Sequence, residues 1–158
     1  MDFNLSELAI MKIEEEIKQT KFKSSHQKAV INLIFTASWL QGQQLNFFKP
    51  FGITNQQFNI LRILKGQHPK TISGTEIKSR MLDKNSDVSR LLDRLATKGL
   101  INKQTCPKDK RASDVLITKA GLDILSELDK KQKAIDQVLA LSEKEAEELS
   151  NLLDKVRG

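Results

Sequence analysis

Residues 85–121 read NSDVSRLLDRLATKGLINKQTCPKDKRASDVLITKAG, and the period of the pattern changes inside that stretch. Taking residues 85–98 as a helix, Val88, Leu91, Leu92 and Leu95 recur at i, i+3, i+4 and i+7. That is one narrow apolar stripe, which packs inward. Gly99 stands where a helix closes with a left-handed residue. Residues 100–106 and 112–117 then alternate at period two, as half-buried strands do. Residues 107–111 between them are polar and turn-like, so the pair reads as a hairpin with a charged tip. Thr118 is placed to cap a further helix beyond the hairpin.

Working outward, two more short helices precede this stretch. Thr54 with Gln57 has capping-box spacing and opens a helix through Phe58, Leu61 and Leu64 to about Gly66. Ser73 with Glu76 repeats the spacing and opens another to Leu82. Asp83, Asn85 and Ser86 are candidate caps for the helix carrying the stripe. Upstream, residues 5–19 have helical spacing, and Ser24-Ser25 offers a cap. A long apolar helix then runs through Val30, Ile31, Ile34, Phe35, Trp39 and Leu45 until Pro50 stops it. Downstream, Leu122, Leu125, Leu128, Ile135, Val138 and Leu139 form a long helical stripe. Ser142 with Glu145 caps a last helix through Leu149, Leu152, Leu153 and Val156.

The expected fold is mainly α with a small β-hairpin wing: a winged helix-turn-helix over residues 51–118, flanked by N-terminal helices (1–50) and C-terminal helices (119–158). The flanking helices are too apolar to stand alone in water and are expected to form a dimer interface.

Composition narrows the function. The chain has 158 residues, the length of one domain with an extension. One Cys excludes an internal disulfide and a multi-thiolate metal site, and two His supply no metal or catalytic set. No catalytic residue, metal or cofactor is therefore expected. Asp2 without an apolar run argues against a signal peptide. No membrane span is read, and a cytoplasmic location is expected. The net charge is +6, unevenly spread. Residues 61–120 hold fourteen Lys and Arg against six Asp and Glu, a surplus of eight, while the rest of the chain is two short of neutral. Concentrated positive charge points to a polyanion. The basic segment contains no aromatic residue, which argues against a membrane-surface helix.

The candidate DNA-binding residues lie on the striped helix, just before it and on the hairpin. They are Lys84, Asn85, Ser86, Asp87, Ser89, Arg90 and Arg94, with Lys108, Asp109, Lys110 and Arg111 at the tip. A helix in the major groove reads base edges with its first turns, and Arg90 can donate two hydrogen bonds to guanine. Asp87 and Asp93 oppose phosphate on the same helix. A basic hairpin tip suits the negative potential of a narrow minor groove.

Three stretches resemble the MarR family of bacterial transcriptional regulators. They are residues 53–61 (ITNQQFNIL), residues 88–95 (VSRLLDRL) continuing to KGLI at 98–101, and Asp109-Lys110-Arg111 with LITKAG at 116–121. The resemblance implies an obligate dimer on a pseudo-palindromic operator, usually acting as a repressor. It implies that Arg111 enters the minor groove and that Asp109 helps hold it. It also implies release by a small aromatic or phenolic effector. For such a pocket Ile34, Phe35, Trp39 and Phe58 are the candidate walls, and each has core packing as its plainer role. Without a Cys in the first helices, N-terminal peroxide sensing is not available, and Cys106 reads as a small strand residue. The alternative to a DNA-binding regulator is a winged-helix adaptor that presents its helix to another protein.

Overall fold

A computed structural model describes residues 11–106, 109–131 and 137–158; for residues 105–113 and for Gln137 it describes the backbone at most. The chain divides into two compact units. One is Gln44–Lys133; the other joins Met1–Gln43 to Ala134–Gly158.

The first unit holds nearly all the buried apolar residues. Helix α3 (Asn55–Gln67) begins at a complete capping box: Thr54 accepts from the Gln57 N–H, and the Gln57 side chain accepts from the Thr54 N–H. It buries Ile60, Leu61 and Leu64. Ser73 caps helix α4 (Gly74–Arg80) and, with Ile72, also forms a short strand, β1 (Ile72–Ser73). Helix α5 (Val88–Thr97) buries Val88, Leu92 and Leu95. It ends in a Schellman motif. The Leu100 N–H reaches Leu95 O at 3.0 Å, the Gly99 N–H reaches Ala96 O at 2.9 Å, and Gly99 takes φ +70°.

Strands β2 (Ile101–Cys106) and β3 (Asp109–Ile117) form the expected antiparallel hairpin, with Ile101 opposite Ile117 and Lys103 opposite Val115. β3 is the middle strand of three, because β1 pairs on its other side with Ile72 opposite Val115. Two residues carry no periodicity, so β1 left no sequence signal. β3 begins at Asp109, earlier than the expected Ala112, because a register shift between Thr105 and Cys106 brings Cys106 opposite Asp109.

Helix α6 (Lys119–Lys130) starts at Thr118, whose hydroxyl accepts from the Gly121 N–H and donates to Gly99 O. Gly121 is required there. A Cβ at that position would lie 2.4 Å from Leu100 O and 2.7 Å from Ile117 Cγ1. α6 packs on α3. Between them the Asp129 carboxylate receives the Lys65 ammonium at 3.0 Å and the Arg62 guanidinium. Those cations, Lys65 foremost, hold Asp129 below the usual carboxylate range.

The second unit carries much of helix α2 (Ser25–Phe48), whose only buried residue is Phe48, at its far end. Val30, Leu33 and Ile34 lie exposed along it. Phe48 is followed by a 3-10 turn, Lys49–Phe51, which holds Pro50 and closes on Gly52 at φ +65°. Helix α7 (Glu143–Arg157) has the expected Ser142–Glu145 capping box and no buried residue.

The structure also corrects two expectations about the flanking helices. Among the described residues the N-terminal helix is only α1 (Ile13–Glu16). It ends in a turn that takes Lys18 to φ +52°, so the stripe expected across residues 5–19 is not one helix, and residues 5–10 lie outside the described residues. The stripe from Leu122 to Leu139 is also interrupted. α6 closes at Lys131, whose N–H turns back to Leu128 O at 2.9 Å. Val138 and Leu139 sit instead in a 3-10 turn, Gln137–Leu139, before Ala140 at φ +49°, and Ile135 lies outside the described residues. Periodicity records which residues share a face but not where backbone bonds close a helix. No helix among the described residues is long and apolar enough to cross a membrane.

Candidate nucleic-acid interface

The α5 stripe fixes which face is free. Leu91 is half-buried beside the buried Val88, Leu92 and Leu95, and Ser89, Arg90, Asp93, Arg94 and Thr97 face water. Neither Arg90 nor Arg94 makes an ion pair among the described residues. Asp93, which opposed a phosphate partner in the sequence, is occupied. It receives Lys103 Nζ of β2 at 2.8 Å, so its charge ties helix to hairpin. The exposed face of α5 thus carries two guanidinium groups that make no ion pair among the described residues.

The helix begins later than expected. Residues 85–87 are not its first turn; Asp87 is the N-cap, and its carboxylate accepts from the Arg90 N–H at 3.1 Å. Asp83, Asn85 and Ser86, the expected caps, instead build the turn before it. The Asp83 carboxylate accepts from the Asn85 N–H at 3.0 Å and the Ser86 hydroxyl at 2.8 Å. Once those groups satisfy one another, Asp87 is the residue left beside the free N–H groups of α5. The Ser86 hydroxyl, then the Asn85 N–H, hold Asp83 below its usual pKa.

The same turn is pinned at both ends. Asn59 Oδ1 of α3 accepts from the Leu82 N–H at 2.9 Å, and Lys84 Nζ donates to Ser79 O at 2.7 Å. Lys84 and Asn85 are exposed, and Ser86 is half-buried. Asn85, Ser86, Asp87 and Ser89 line one side of a cleft of about 480 Å³ whose other side is Thr75 and Lys78 of α4. Thr75 and Lys78 were missed by sequence reasoning because nothing in their spacing marks them; only the approach of α4 to α5 places them beside Ser89.

The far end of α5 is clamped. Lys98 Nζ donates to Gly52 O and, at 3.2 Å, to Gln57 Oε1. Gln57 is 2% exposed, while Lys98 reaches it from the surface.

Lys108 and the side chains of Asp109, Lys110, Arg111 and Cys106 lie outside the described residues; the backbone of residues 109–111 belongs to β3. Of the candidate pocket residues, Ile34 and Trp39 are exposed on α2 and Phe35 is half-buried. Phe35 and Trp39 share a recess of about 170 Å³ with Met11 and Ile13. Phe58 is half-buried on α3, with its ring 4.7 Å from that of Phe48 and the Arg62 guanidinium 5.0 Å from its centre.

The comparisons with known proteins agree on one family. Residues 53–113 match the sequence profile of the MarR family. The crystal structure of a MarR transcription factor from Planctomyces limnophilus is 30% identical, with a TM-score of 0.66 over 85% of this chain and 98% of that one. A mutant of Escherichia coli MarR complexed with operator DNA is 27% identical, with a TM-score of 0.66 over 79% of this chain and 91% of that one. The transcriptional regulator PapX of Escherichia coli is 24% identical over 89 residues; this match spans 56% of the chain and only 54% of PapX. With a near full-length relative at 30% identity and the family profile lying over the three helices and the hairpin, the chain belongs to the MarR family of winged-helix transcriptional regulators.

Proposed function

We propose that the chain acts in the cytoplasm as a homodimeric, sequence-specific DNA-binding repressor. Each protomer lays α5 in the major groove of one half of a pseudo-palindromic operator and its hairpin in the flanking minor groove. The observation that carries this reading is the outer face of α5. Arg90 and Arg94 are exposed there and make no ion pair among the described residues, on a helix whose inner face is buried and whose end is clamped. Asp93 is neutralised by Lys103, which removes a repulsion that phosphate would otherwise meet. The solved complex of the 27% identical MarR mutant with operator DNA supports the same partner.

The dimer rests on a second observation. Val30, Leu33 and Ile34 of α2, and Leu152 and Val156 of α7, are exposed apolar residues on helices that bury almost nothing of their own. A second copy is the covering that the resemblance supplies. Release by a small aromatic or phenolic effector is part of the same proposal, with Trp39 fluorescence as its reporter.

The test is selection of bound duplexes from a random pool at moderate salt. An enriched inverted repeat, with half-site centres about 10–10.5 bp apart, is expected. Binding without enrichment, confined to low salt, would overturn sequence-specific regulation and favour an adaptor whose partner is another protein.

A further inference from the structure

The connection between α4 and α5 contains an apolar residue that the fold does not use. Met81 is buried, and its neighbour Leu82 is 82% exposed, more than any other large apolar residue described. Its position is fixed. The Leu82 N–H is bonded to Asn59 Oδ1, and the residues after it are held by Asp83 and by the Lys84–Ser79 bond. Asp83, Lys84, Asn85 and Asp87 around it are polar and exposed, so Leu82 is a lone apolar projection in the turn that leads into α5. A side chain of this chemistry gains nothing from water or phosphate. On the base edges of a major groove one group is apolar, the C5-methyl of thymine.

We propose that Leu82 is a specificity residue of the DNA interface, packing on the methyl group of a thymine at the edge of each half-site. This rests on the reading that α5 enters the major groove. It adds to the polar contacts of Arg90 a discrimination that no hydrogen bond supplies, because the methyl is what separates thymine from every other base at that edge.

The experiment uses the full chain and the duplex recovered by selection, with each thymidine replaced in turn by deoxyuridine, which lacks only the methyl. At one position, repeated symmetrically in the two half-sites, methyl loss should weaken binding by the native chain about fourfold, the worth of one buried methyl group. Leu82→Ala, which removes the contact from both half-sites, should weaken binding to the parent duplex by that factor squared, roughly sixteenfold, and be indifferent to methyl loss at that position. Leu82→Met should keep the sensitivity. An unchanged circular dichroism melt for both variants is expected, since Leu82 is almost wholly exposed. If no deoxyuridine position weakens binding, or if the two losses multiply in Leu82→Ala, the inference is overturned while the regulator reading stands. If selection recovers no duplex, the regulator reading itself falls and takes the inference with it.

Discussion

Arg90 and Arg111 are both basic, yet they are given different tasks. Arg90 leaves the first turn of a buried-backed helix, where a planar fork can read a base pair. Arg111 belongs to a hairpin expected in the minor groove, where width and potential matter more than base identity. Arg90→Ala should cost about 1–3 kcal/mol and relax preference at one base pair. Arg111→Ala should weaken binding to all duplexes alike. Competition titrations against single-base operator variants separate the two, and an Arg90→Ala protein with an unchanged preference profile would refute the assignment of α5. Gly121 tests the scaffold at the same scale. Its missing Cβ would meet the Leu100 carbonyl, a backbone atom that has no rotamer to escape by. Gly121→Ala should therefore lower stability by about 1–3 kcal/mol, the usual range for overpacking, read as a drop in Tm. An unchanged Tm would mean that the hairpin base and α6 separate at little cost.

Among the elements, those with a strong period and a side-chain cap are legible in the sequence. Thr54–Gln57, Ser73, Thr118 and Ser142–Glu145 all cap where their spacing predicts. The α5 stripe and the hairpin are likewise present in the fold. The features that escape are decided by bonds between elements or by bonds inside a turn. β1 exists only because β3 is beside it. The start of α5 escapes because Asp83, Asn85 and Ser86 satisfy one another and leave the cap to Asp87. Thr75 and Lys78 join the cleft only through tertiary approach. The Asp83 turn also predicts a pH dependence. Its pKa is depressed in the folded chain by the Ser86 hydroxyl and the Asn85 N–H. The turn's stabilisation is therefore fully present above the ordinary carboxylate pKa of about 4 and is lost as pH falls through the lower folded value. Asp83→Ala should lower the urea midpoint at neutral pH, and the gap from the native chain should close below about pH 4. A gap that stays constant through acid would mean that the Asp83 charge plays no part.

At the scale of the molecule, the two compact units differ in how they hold themselves together. The unit of residues 44–133 has its own core, from Ile60 and Leu64 to Val115 and Leu125. The other exposes apolar side chains along α2 and α7. If the chain dimerises as proposed, replacing Leu152 and Val156 together by Glu should yield a monomer in sedimentation equilibrium and abolish operator binding, while the circular dichroism of the winged-helix unit persists. A double variant that still sediments as a dimer would move the interface away from α7. The winged helix therefore has a core of its own but should grip a duplex only in pairs. In the proposed complex, Ser73 would bear on how each protomer meets the duplex. It is at once the cap of α4 and a residue of β1, whose partner is the central strand of the wing. The helix pair and the ribbon are thus joined at Ser73 as well as through the Asp93–Lys103 pair, like the two jaws of a caliper set on one frame. A duplex whose grooves lie at another separation would be refused by its shape, at positions that no side chain touches.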